Sequence, residues 1–110
     1  MSGDVQQAVA RSADAADLHA PAATLLLELQ TLLGSLCANA TAMTDRGRRP
    51  FRPGPDWATR LGELAYGVYL LADQTGVDVA QAVSSTADNL HTYAEKARAE
   101  KQTGWPFDAS

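Results

Sequence analysis

Three side chains stand out for chemistry in this 110-residue sequence: Glu28, Arg60 and Glu63. Glu28 interrupts the most apolar run of the chain, LLLELQTLL from Leu25 to Leu33. Glu63 follows Arg60 by one helical turn. A carboxylate set among leucines is costly to desolvate unless a cation or a metal meets it. Facing helices that present inward carboxylates hold divalent ions in helical bundles. Mg2+ needs only one or two of them when water and phosphate fill its remaining positions. The same residues also read as an ion pair, Glu28–Arg60 or Glu63–Arg60, that neutralises the acid and fixes helix register. Both readings stand at the level of spacing.

Charge supplies a second candidate. The net charge of −4 is unevenly laid out: residues 1–45 carry −4, residues 46–55 carry +4 from Arg46, Arg48, Arg49 and Arg52, and residues 56–110 carry −4. An acidic body lacks the broad basic face that general nucleic-acid binding needs to displace counterions. The basic stretch could hold a phosphate through Arg48 and Arg49, or stay a solvated loop. Elsewhere the sequence offers less. His19 and His91 have no ligand spacing between them, and no base stands beside Ser84, Ser85 or Thr86. Neither a Walker loop nor a dinucleotide fingerprint is present. Lone Cys37 excludes an internal disulfide framework and reads as a small core residue.

The elements that must position these residues read as helices throughout. From Ser2 to His19 only Val5, Val9, Ala13 and Ala16 form a thin apolar stripe, which predicts a peripheral N-terminal helix over residues 1–20. Pro21 suits the start of a second helix running to about residue 44. Its positions Leu25, Leu29, Leu32, Leu36 and Met43 form one stripe, and Leu26, Leu33 and Cys37 a second, so burial on more than one side is expected. The stretch DRGRRPFRPGP, Asp45 to Pro55, cannot continue a helix. Asp56 is placed to cap a third helix that Gly76 ends, with Trp57, Leu61, Leu64, Val68 and Leu71 as its stripe. Asp78 caps a fourth, striped by Val79, Val83, Thr86, Leu90, Tyr93 and Ala97. Near its end Glu95/Arg98 and Lys96/Glu100 are spaced as surface pairs, and Asp88 and His91 lie one turn apart. Trp105 and Phe107 fall on a C-terminal tail over 104–110, a candidate docking segment. No basic-then-apolar leader and no apolar run of membrane-spanning length is seen, so a cytoplasmic location without membrane contact is expected. The expected fold class is all-α, a four-helix bundle; so small a chain covers its apolar surface poorly, which predicts completion by self-association as a homodimer or tetramer.

The order of these helices and two local patterns carry a resemblance. The segment LGELAYGVYLLADQTGVDVAQAV, residues 61–83, resembles the second half of the MazG-like all-α nucleoside triphosphate pyrophosphohydrolases. Leu71-Ala72, Gly76-Val77-Asp78 and Gln81-Ala82-Val83 match that family's register without gaps, and LLLELQTLLGSL, residues 25–36, looks like its Glu-x-x-Glu-Leu helix. The resemblance covers residues 22–93 and implies a helical domain over 21–103 with a MazG-type fold completed by dimerisation. It implies Mg2+ bridging clustered carboxylates and a triphosphate, with water attack releasing pyrophosphate. In that register Arg60-Leu61-Gly62-Glu63 stands where the family has Glu-x-x-Asp, so the first carboxylate has become an arginine. Of the first motif only Glu28 remains, its partner position being Leu25 or Thr31; Thr86 falls where the family has a lysine, and Asn89 one place before its usual asparagine. The implied site is therefore degenerate: Glu28 and Glu63 as residual metal ligands, Arg60 as a phosphate contact or counter-ion, Arg48 and Arg49 on a possible lid. The implied activity is nucleoside triphosphate binding with weak or lost Mg2+-dependent hydrolysis. The alternative is a non-catalytic helical dimerisation or protein-interaction module, and a third reading is an active enzyme that draws on Asp88 or Glu95.

Overall fold

The computed structural model describes residues 2–100, with side chains from 4 to 99. The tail bearing Trp105 and Phe107 lies outside the described residues. Within them the chain forms four α-helices and no strand: α1 (Ser2–Ala16), α2 (Ala22–Met43), α3 (Trp57–Thr75) and α4 (Val79–Glu100). Contacts divide the chain into two units, residues 1–77 with α1 to α3, and residues 78–110 with α4.

In the first unit α2 and α3 form the main packing pair, and α1 packs on α3. Ser35 meets Arg60, Leu29 meets Gly67, and Leu25 shares a buried cluster with Leu70. The partners run in opposite order along the two helices, so α2 and α3 are antiparallel. Gly67 is what lets them close. A Cβ there would stand 2.8 Å from Leu29 Cδ2 and 3.1 Å from Leu32 Cδ1. The buried cluster is Val9, Ala13, Leu25 and Leu70, with Tyr66, Tyr69 and Leu71 packed around it. The helix expected to be peripheral thus supplies two of the four buried members, because small Ala13 lets the α1 backbone approach α3. Tyr66 fixes this contact through its hydroxyl, 2.7 Å from Ser12 Oγ. At the far end of α1, Gln6 Nε2 donates to the Val77 carbonyl at 2.8 Å.

The helix ends follow their sequence signals unevenly. Gly76 ends α3 in the left-handed conformation, φ +73°. Asp78 Oδ1 accepts from the Gln81 amide at 3.1 Å, as a cap of α4 should. Asp56 occupies the equivalent place before α3 yet makes no side-chain capping bond. The connection after α2 turns through three consecutive left-handed residues, Asp45, Arg46 and Gly47. Thr44 steadies it, its Oγ1 donating to the Ala40 carbonyl and accepting from the Gly47 amide at 3.1 Å. Farther along, Phe51 meets Trp57 edge to face with ring centroids 5.0 Å apart.

Two expectations about α2 are corrected. Leu25 and Leu36 of the first stripe are buried, but Leu26 and Leu33 of the second remain 55% and 50% exposed. Within the unit of residues 1–77, α2 packs on α3 along one stripe, and α1 packs on α3. Cys37, which belongs to the second stripe, is consequently exposed and not a core residue. In the second unit, α4 buries Val79 and Ala97 while Val83 and Leu90 stay exposed. His91 pairs with Glu95 at 3.0 Å, so neither the Asp88–His91 nor the Glu95–Arg98 contact forms.

Candidate functional site

The antiparallel register decides what Glu28, Arg60 and Glu63 can do together. Arg60 Nη1 donates to Ser35 Oγ at 2.5 Å, which places Arg60 level with Ser35 on α2. Glu28 lies seven residues before Ser35, about 10 Å along the axis at 1.5 Å per residue. A Glu28–Arg60 ion pair is therefore out of reach. Glu28 is exposed at the rim of an apolar cleft of about 140 Å3 bounded by Leu25, Leu29, Tyr66 and Leu70. The desolvation cost attached to it in sequence does not arise, because its flank of α2 faces that open cleft.

Glu63 is likewise exposed and makes no ion pair with Arg60, although the two are one turn apart. Arg60 instead reaches across the α2–α3 seam to Ser35. Half-buried there, it keeps its Nε shielded from solvent with no acceptor. Among the described residues its guanidinium has no carboxylate within ion-pair distance. The cleft on its outer side, of about 190 Å3, is lined by Asp56, Thr59, Arg60 and Glu63. Asp56 was read in sequence only as a helix cap. The missing capping bond leaves its carboxylate available to the cleft, and the spacing Asp56, Arg60, Glu63 at i, i+4, i+7 on one helix face was the signal that could have found it.

Glu28 lines the apolar cleft with Leu25, Leu29 and Leu70. Glu63 and Thr59 belong to a neighbouring hollow with Leu32, Gly62 and Tyr66, and Leu32 and Tyr66 form the wall between it and the Glu28 cleft. Arg48 and Arg49 are exposed on the turn after α2 and do not line the Arg60 cleft; Arg48 Nη1 lies 3.6 Å from Asp45 Oδ1. Among the described residues no three acidic, histidine or cysteine side chains gather as a metal cage would need. Asp56 and Glu63 line one cleft but stand seven residues apart, about 10 Å along the helix. No helix among the described residues is long and apolar enough to cross a membrane.

Compared with known protein-family models, curated proteins and solved structures, the chain finds no match.

Proposed function

We propose that this chain is a MazG-like helical protein that binds a nucleoside polyphosphate at Arg60, with weak or lost Mg2+-dependent hydrolysis. The observation that supports the reading is the state of Arg60: a guanidinium without a counter-ion, its Nε shielded and lacking an acceptor, beside an open polar cleft. A shielded donor left unmade is costly, and a phosphate oxygen is a strong charge-assisted acceptor for it. Asp56 and Glu63 would repel a bare phosphate. Mg2+ arriving with the nucleotide would reverse that, because it would lend positive charge to the phosphates and take one of the carboxylates as a ligand. Thr59 Oγ1 offers a further polar contact in the same cleft. Glu28 lines the neighbouring apolar cleft. Its place suits a hydrogen-bond acceptor for a group lying against Tyr66. A cytoplasmic location accords with free, exposed Cys37.

The test is a thermal-shift titration with nucleoside triphosphates, with and without Mg2+. A ligand that binds only the folded state stabilises it by about 2.7 kcal/mol at a hundredfold excess over Kd. A Mg2+-dependent rise in Tm that disappears in Arg60→Met is expected; the methionine keeps an apolar stem in the seam while removing the cation. A flat response of the parent chain across the panel overturns the reading.

A second reading has its own support. The exposed leucines of α2 favour a helical self-association or interaction module, as a homodimer or tetramer, whether or not a nucleotide binds.

A further inference from the structure

We propose that the apolar cleft beside Glu28 is a binding site for a small organic cation, a primary amine carrying one compact apolar group. The site stands apart from phosphate binding at Arg60 and calls for no metal.

The cleft is built entirely within the unit of residues 1–77, since every residue around it falls between 18 and 70. Five leucines, Gly67 and Tyr66 line it, and Glu28 is its one charged group. Its volume is about 140 Å3. An apolar cavity of roughly 150 Å3 takes up benzene, so the space is that of a single ring or a short branched alkyl group. The lining is not used up by the chain's own core. Leu29, Leu32 and Tyr66 are only half-buried, and Leu18 remains 45% exposed. An apolar group seated there takes leucine surface out of water, which is favourable in proportion to the area covered.

The polar groups decide what that ligand must carry. Tyr66 offers the cleft its ring, because its hydroxyl is committed to α1, 2.7 Å from Ser12 Oγ and 3.4 Å from the Val9 carbonyl. Glu28 offers acceptor oxygens and a full negative charge. Among the described residues it makes no hydrogen bond or ion pair. No other charged side chain lies on α2, and His19, which follows Leu18, is already paired with Asp14 at 2.8 Å. The cleft is therefore an acceptor without a donor. A carboxylate or phosphate would meet Glu28 as a like charge. A metal ion would find one ligand and a wall of leucine. An ammonium group needs only what is present: a carboxylate to accept its hydrogens and the face of an aromatic ring beside it. The two come from neighbouring helices, Glu28 from α2 and Tyr66 from α3, with the leucines between them to hold the apolar part.

The test measures benzylamine binding to the full chain by thermal shift and by amide chemical shifts. Benzyl alcohol and benzoate serve as comparators with the same ring and a different charge. Benzylamine should raise Tm and move the amide signals of Leu29, Tyr66 and Gly67. Benzyl alcohol should bind more weakly, and benzoate should do neither. Glu28→Gln keeps the size of an exposed side chain and removes its charge. It should fold as the parent does and weaken benzylamine about fivefold, with benzyl alcohol unchanged. Tyr66→Phe retains the ring and should retain benzylamine. Arg60→Met should leave benzylamine binding intact while abolishing any nucleotide response, which separates this site from the phosphate reading. Absence of benzylamine binding overturns the inference. So does binding undiminished in Glu28→Gln, equal binding of the amine, the alcohol and benzoate, or amide shifts confined to residues outside the cleft.

Discussion

At the scale of single residues, two aspartates of the same type at the same kind of position do different work. Asp78 caps α4 through a bond to the Gln81 amide. Asp56 precedes α3 and bonds no amide with its side chain. Asp78→Ala should therefore cost about 1 kcal/mol of α4 stability, read as faster amide exchange over its first turn. Asp56→Ala should change stability by less than about 0.5 kcal/mol, yet weaken any Mg2+-dependent nucleotide shift. Equal losses of stability in the two variants would show that Asp56 is an ordinary cap. Gly67 is the other decisive residue. Gly67→Val drives a branched side chain into Leu29 and Leu32, and overpacking of this kind costs roughly 1–3 kcal/mol. Urea unfolding should show a lower midpoint at unchanged slope.

At the scale of elements, the α1–α3 contact depends on Tyr66, whose hydroxyl lies 2.7 Å from Ser12 Oγ and 3.4 Å from the Val9 carbonyl. Tyr66→Phe should cost about 1 kcal/mol and raise amide exchange in α1 more than in α2. The existence and order of the helices were legible in sequence, because Pro21, the Asp45–Pro55 stretch, Gly76 and Asp78 punctuate strongly periodic segments. The partners of each face were not. Periodicity reports that Leu26, Leu33 and Cys37 form a stripe, but not whether the same chain covers it. Nor does composition reveal that Ala13, too small to attract notice, seats α1 in the core. The candidate site was half legible. Arg60 and Glu63 were visible as residues, whereas the reach of Arg60 to Ser35 and its separation from Glu28 depend on the register between two helices. Gly67, where α2 and α3 close on each other, is part of what sets that register.

At the scale of the whole molecule, nucleotide binding and self-association respond to solution conditions in opposite ways. A contact through the exposed leucines of α2 loses little to salt, because few charges meet across it. Binding of a polyphosphate at Arg60 is charge-driven and should weaken as ionic strength rises. Raising salt from 50 to 500 mM should therefore depress the nucleotide-dependent rise in Tm while leaving the dimer mass unchanged. Stability should also climb with protein concentration if a second copy binds only the folded chain; a Tm constant over a hundredfold dilution would count against self-association. The near-absence of charge on α2 has a further consequence, for synthesis. When Met43 leaves the ribosome, α2 is complete but α3, which covers its buried stripe, is not. At 5–20 residues per second, roughly 2 to 6 s pass before Thr75 is made. Through that interval both stripes of a helix with a single carboxylate stand open, and hydrophobic segments so exposed are what chaperones bind. Yield of folded chain on expression should therefore track translation speed and chaperone supply more closely than the equilibrium stability of the finished protein.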